Sequence, residues 1–136
     1  NSVITCVDTW GGSDEQKDLD SKLIEQNFDT NLRKYFKLNR SKKFKMSSND
    51  FFSKNTDKFD LIYVDGDHSC DQVYTDIENS WKILNKNGLL ILDDYLWWFY
   101  NNLKMNPSTA INNFIKDNYS EFSEIIVWKQ VIIKKN

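Results

Sequence analysis

The chain has 136 residues and a formal net charge of −2, enough for one domain with a real core and without the basic footprint of a nucleic-acid binder. No apolar run reaches the roughly 18 residues of a membrane span, and no signal-peptide pattern is present. Aromatic residues make up 15% of the chain, which gives a small domain much apolar surface to bury.

In chain order, Ser2 to Asp8 (SVITCVD) reads as a short buried strand that ends in an acid. Trp10-Gly11-Gly12-Ser13 is a loop. From about Glu15 to Phe36, Leu19, Leu23, Phe28 and Leu32 recur at near-helical spacing, so one helix or two broken ones are expected. Lys43 to Met46 is a short strand, and Asp50-Phe51-Phe52 opens a single helical turn. Phe59 to Val64 is a stronger strand.

Ser69 fits an N-cap, and Gln72 three residues on completes a capping box. Val73, Ile77, Trp81 and Leu84 then form one helical stripe, with Gly88 as the residue just past the helix end. Leu89 to Leu92 is a continuous apolar strand. Pro107 opens a helix at its first position, with Ile111, Phe114 and Ile115 inward. Ile125 to Trp128 and Val131 to Ile133 read as two last strands joined by a tight turn at Lys129-Gln130.

Strands alternating with helices predict an α/β fold, a mostly parallel sheet with helices on both faces. The last two strands must be antiparallel, because parallel strands need a long crossover. Cys6 and Cys70 lie far apart without metal-type spacing and read as reduced thiols of a cytosolic protein. The chain starts with Asn, inside a strand, which points to residues upstream.

Ligands of open α/β sheets bind outside the carboxyl ends of the strands. Three apolar runs here end in acids: Asp8 after SVITCV, Asp65 after LIYV, and Asp93-Asp94 after LLIL. In a parallel sheet these share one edge. Acids also cap helices, but Ser69 already fits the cap after Asp65 and Asp67. Aromatics, not a helical pattern, come after Asp94. A shared ligand site is therefore the better reading.

The stretch FDLIYVDGDHSCDQVYTDIENSWKILNKNGLLILDDY, residues 59–95, resembles the second half of a class I S-adenosylmethionine-dependent methyltransferase. It is similar in particular to the small-molecule O-methyltransferases related to macrocin O-methyltransferase and to the cation-dependent O-methyltransferases. Upstream, ITCVDTWGGSDE resembles that family's second strand and the loop after it. The likeness covers roughly residues 3–95 and, more loosely, Pro107 to Phe114.

The resemblance implies a Rossmann-like fold that binds S-adenosylmethionine and methylates a small hydroxylated molecule. Asp8 matches the acid that accepts the ribose hydroxyls, and an ionised carboxylate can take two donors. Thr9 and Trp10 fall near the cofactor, although Trp10 would serve equally as a packed loop aromatic. Ser47 and Ser48 match the turn that borders the adenine, where an Asp is common and is absent here. Asp65, Asp93 and Asp94 match metal ligands, and three carboxylates suit a hard ion such as Mg²⁺. Asp67 is a further ligand, a group behind the ligands, or a solvated acid.

His68 matches the position of a basic catalytic residue. A histidine can take a hydroxyl proton near neutral pH; the alternative is a histidine that orients a carboxylate. The run Tyr95-Leu96-Trp97-Trp98-Phe99-Tyr100 would serve as a lid over the substrate, as a contact between copies in a homo-oligomer, or as core.

The resemblance also implies an omission. Class I methyltransferases begin with a strand and a Gly-rich loop at the cofactor's methionine end. The four glycines here, Gly11, Gly12, Gly66 and Gly88, do not fill that role. The chain is expected to be a C-terminal portion that binds the cofactor weakly or not at all. In the sheet order 3-2-1-4-5-7-6 the absent strand is central, so the strands at Val3 to Val7 and Phe59 to Val64 should pair directly or have another chain between them. Two other functions stay open. One is a non-catalytic module that keeps the fold. The other is a metal-dependent hydrolase using Asp65, Asp67, His68, Asp93 and Asp94.

Overall fold

The computed structural model describes residues 2–12, 20–36 and 38–136. The chain divides into two compact units, residues 1–55 and 56–136.

In the first unit β1 (Ile4–Asp8) pairs in parallel with β2 (Ser41–Lys45), Asp8 lying opposite Lys45. The crossover is α1 (Ser21–Tyr35), whose N-cap is Asp20. Its carboxylate accepts the amides of Lys22 at 3.0 Å and Leu23 at 3.2 Å, satisfying N–H groups that a helix start leaves unpaired. The helix is unbroken from Ser21 on; residues 13–19, where its expected start falls, lie outside the described residues. Leu23 is exposed. The half-buried positions are Ser21, Glu25, Phe28, Asp29 and Leu32. On this face Lys43 of β2 meets both Glu25 and Asp29 at 2.7 Å. Helix α2 (Ser48–Lys54) runs for about two turns, not one, started by Ser47, whose hydroxyl accepts the Asp50 amide at 3.1 Å.

The second unit contains β3 (Phe59–Val64), α3 (Cys70–Ile83), β4 (Leu84–Leu92), α4 (Pro107–Asn118), β5 (Phe122–Val127) and β6 (Val131–Lys135). Its sheet has the order β3-β4-β6-β5. Strands β3 and β4 are parallel, while β6 is antiparallel to both β4 and β5. The closing antiparallel pair is as expected. Within its own unit β1 has β2 as its neighbour, and β3 has β4.

The period of two along each strand decides which side chains are buried. Leu90 and Leu92 of β4 and Val131 and Ile133 of β6 join Ile77 and Trp81 of α3 and Ile111 and Phe114 of α4 in one core. Ile62 and Val64 of β3 pack against it. The alternate residues Leu61, Tyr63 and Ile126 are exposed.

Two local expectations are corrected. The capping box does not form. Ser69 is the N-cap of α3 but makes no side-chain cap bond, and Gln72 donates along the helix to Asp76 at 2.9 Å. Gly88 is not the residue past a helix end. Helix α3 stops at Ile83, and β4 runs through Gly88 with an irregularity opposite Phe59 to Leu61. Asn87 takes the left-handed turn there, at φ 62°. Gly88 is needed for space: a Cβ would stand 2.8 Å from the Asn85 carbonyl oxygen and 2.8 Å from Leu84 Cδ1. Gly88→Ala should therefore destabilise the protein by about 1–3 kcal/mol, read as a lower urea midpoint; an unchanged midpoint would contradict this tight approach.

Candidate functional site

The carboxyl edge of the β3–β4 pair brings Asp65, Asp93 and Asp94 together. Val64 lies opposite Leu92, and the Asp93 amide donates to the Val64 carbonyl at 3.0 Å. Asp65 and Asp93-Asp94 therefore leave the sheet side by side. After Asp65 the chain turns through Gly66 and Asp67. The Asp67 carboxylate accepts the Ser69 amide at 2.7 Å, so this acid shapes the turn into α3.

His68, half-buried, comes back to the strand ends. Its Nε2 lies 3.0 Å from Asp94 Oδ2, and its ring packs on Trp97 with centroids 4.6 Å apart. Ligand atoms of Asp65, His68 and Asp94 all lie within 4.8 Å of one another. Burial pushes the Asp65 carboxyl above its ordinary range, repulsion from Asp93 and Asp94 adds to this, and His68 opposes it.

Asp93 has a different environment. Its Oδ2 accepts the Tyr63 hydroxyl, and its Oδ1 accepts Gln130 Nε2 at 3.1 Å and the Asp94 amide at 2.9 Å. Burial would raise its carboxyl, but these three donors outweigh it and hold the group below the usual range, helped by the charge of His68. The same bond with Asp93 pushes the Tyr63 phenol up to about 12.

The aromatic run leaves this edge as a pinned loop. The buried Asn106 accepts the amides of Phe99 at 3.3 Å and Tyr100 at 3.1 Å, and returns a bond to the Tyr100 carbonyl at 3.3 Å. Trp97 stacks on Phe99, while Trp98 is 76% exposed. An open groove of about 380 Å³ lies beside Asp93, lined by Ile126, Trp128, Lys129, Gln130 and Ile132.

In the first unit Asp8 Oδ1 accepts the Trp10 amide at 2.7 Å, and Thr9 Oγ1 accepts that of Gly11 at 3.1 Å. Trp10 is buried at φ 50°, an uncommon conformation for so bulky a residue. It packs on Phe28 at 5.1 Å between centroids, with Lys43 Nζ 4.3 Å from its ring centre. The Ser47 hydroxyl also donates to Asp50 at 2.8 Å, and Ser48 is the first residue of α2.

Of the residues singled out from sequence, Asp65, His68 and Asp94 converge, and Asp93 stands beside them with both oxygens engaged. Tyr63 and Gln130 were missed. One reads as an ordinary strand residue and the other as a turn residue, and a contact between positions 67 apart leaves no local signal. Trp97 was noticed only as part of an aromatic run.

The architecture is a Rossmann-like α/β fold of the kind found in solved methyltransferases. The chain belongs to the methyltransferase domain family, which matches residues 1–95. The O-methyltransferase NovP is similar to it in structure, with a TM-score of 0.72 and 17% identity over 98% of this chain and 60% of that one. A protein from Corynebacterium glutamicum has a TM-score of 0.67 and 16% identity, with the same coverage of 98% and 60%. MycE methyltransferase of the mycinamycin biosynthetic pathway, solved with Mg and SAH, has a TM-score of 0.62 and 12% identity, over 100% of this chain and 46% of that one. The chain thus spans 60% of the length of the first two. No curated protein sequence matches it. Among the described residues, no helix is long and apolar enough to cross a membrane.

The raised Asp65 carboxyl has a signed consequence. A group whose folded value lies above its unfolded one favours the fold when protonated, and loses that contribution as pH rises through the folded value. Asp65→Asn should therefore raise the thermal midpoint of the metal-free protein at neutral pH. The difference should vanish below the ordinary carboxylate range. A midpoint lowered at neutral pH would show that the ionised carboxylate is well accommodated.

Proposed function

We propose that the chain serves S-adenosylmethionine-dependent transfer of a methyl group to a hydroxyl of a small molecule, assisted by a divalent cation. The convergence of Asp65, His68 and Asp94 at a strand edge, in a member of the methyltransferase domain family, carries this reading. The Mg and SAH bound by MycE, similar in fold, support it.

The donor set fits an ion. Two carboxylates and an imidazole nitrogen lie close together, and burial with repulsion from Asp93 and Asp94 raises the Asp65 carboxyl, a repulsion that a cation would relieve. Asp65 and Asp94 would hold the ion, with Mg²⁺ or Mn²⁺ suited to oxygen ligands. A bound ion would act as a Lewis acid that acidifies the acceptor hydroxyl. His68 would take the hydroxyl proton as the sulfonium–methyl bond breaks and the oxygen–methyl bond forms. Asp94 would hold the imidazole in place, as an orienting acid does for a base, and Trp97 backs the ring. A second reading, favoured by the same convergence, makes His68 a third ligand of the ion.

For the cofactor we assign Asp8 to the ribose hydroxyls. Its Oδ1 takes the Trp10 amide, and a carboxylate has acceptor capacity beyond one bond. Thr9, Trp10, Ser47 and Ser48 are assigned beside it, and the uncommon backbone at Trp10 supports a site there. A cytoplasmic setting goes with this reading, since Cys6 and Cys70 are both free thiols.

His68→Ala should lower turnover by about 10²–10⁴-fold with the KM for S-adenosylmethionine nearly unchanged, and chelation of divalent ions should abolish transfer. Mn²⁺ affinity separates the two roles: unchanged in His68→Ala for a base, lost for a ligand. Full activity in chelator would remove the ion from the reaction, and an equal loss of cofactor binding would remove His68 from the chemistry.

A further inference from the structure

The turn between β5 and β6 reaches the acidic edge at two points. Gln130 Nε2 donates to Asp93 Oδ1 at 3.1 Å and to the Tyr63 hydroxyl at 2.9 Å. The Lys129 carbonyl accepts the Tyr95 amide at 3.1 Å. Asp94 lies between these ties, in a left-handed backbone at φ 55°. Aspartate visits this region more often than most non-glycine residues, and the direction its carboxylate then takes depends on what fixes the turn. The direct hold is the bond from the Asp94 amide to Asp93 Oδ1 at 2.9 Å. Asp93 is in turn fixed from both sides, by Tyr63 on Oδ2 and Gln130 on Oδ1.

We infer that Tyr63 and Gln130 are positioning residues: by clamping Asp93 they fix the left-handed turn that brings the Asp94 carboxylate to His68. The chain of contacts is continuous, from Gln130 and Tyr63 to Asp93, from Asp93 to the Asp94 amide, and from Asp94 Oδ2 to His68 Nε2 at 3.0 Å. Stability alone gives little reason for it. Tyr63 is 47% exposed, and hydrogen bonds that water could replace contribute little to folding. The clamp also separates two adjacent aspartates by role. Asp93 faces Tyr63 and Gln130, while Asp94 is left for His68 and Asp65.

The test uses the only histidine of the chain, whose imidazole resonances are therefore unambiguous. In metal-free protein at one fixed pH, Gln130→Ala and Tyr63→Phe should each shift the His68 ring ¹⁵N resonances. The thermal midpoint should move no more than in Ile126→Ala, an exposed change in the same hairpin. Because both residues act through Asp93, the double variant should shift His68 no further than the larger single change. A second arm rests on the proposed ion site: the Mn²⁺ dissociation constant should rise about tenfold or more in each variant, as for other partners of metal-holding side chains. Unmoved His68 resonances in both variants would overturn the inference, as would additive shifts or a fall in the midpoint well beyond the control. Shifted resonances in a protein that takes up no Mn²⁺ would uphold the clamp and discard the ion instead.

Discussion

The parallel pairing of β3 with β4, in the register Val64 opposite Leu92, is the constraint on which the rest of the site depends. It ends two neighbouring strands at the same level, so the residues just past them emerge together. Those residues are Asp65 on one strand and Asp93-Asp94 on the other. Core packing of Leu90 and Leu92 against α3 and α4 fixes the register, since a slip of one residue would turn each strand's apolar set outward. Hydrophobic packing thus imposes a concentration of negative charge that the chain must then accommodate.

It does so unevenly. Asp93 gains three donors and stays ionised at the Tyr63–Gln130 side. Asp94 gains the imidazole of His68. Asp65 gains least, and its carboxyl is the one displaced upward. The divergence of two adjacent aspartates arises from backbone geometry. In extended chain, neighbouring side chains point to opposite faces; the left-handed φ of Asp94 redirects the second one towards His68. The buried side chain of Asn106 then holds the loop that places Trp97 behind the histidine.

The strands were legible from sequence because a half-buried sheet must alternate or run apolar, and Phe59 to Val64 and Leu89 to Leu92 do so without ambiguity. The helix over Val73, Ile77 and Trp81 was legible for the same reason at a period of 3.6. Boundaries were less so. Leu84 continues the helical stripe, yet it is the first residue of β4, where its side chain stays in the same core. Leu23 has helical spacing yet is exposed, while Glu25 and Asp29 on the half-buried face pair with Lys43. The strand-end acids and His68 stood out as charge placed against apolar runs. Tyr63 and Gln130 carry no such contrast, and only the β5–β6 turn folding back to β3 brings them together.

A shared pattern governs the acids past the strands. Asp8, Asp67 and Asp93 all accept a backbone amide one or two residues ahead, those of Trp10, Ser69 and Asp94. Capping a turn and binding a ligand look like competing explanations for such residues, but a carboxylate has two oxygens and about four acceptor positions. The amide bond fixes the direction of the side chain and uses one of these positions. The rest form an acceptor already oriented, which loses little side-chain freedom when a ligand arrives. Asp8 is therefore better suited to receive hydroxyl donors because it holds the Trp10 amide. Asp65 has no local amide of this kind among its described bonds. It depends on its neighbours for orientation, and through Asp94 that dependence leads back to the turn that carries Gln130.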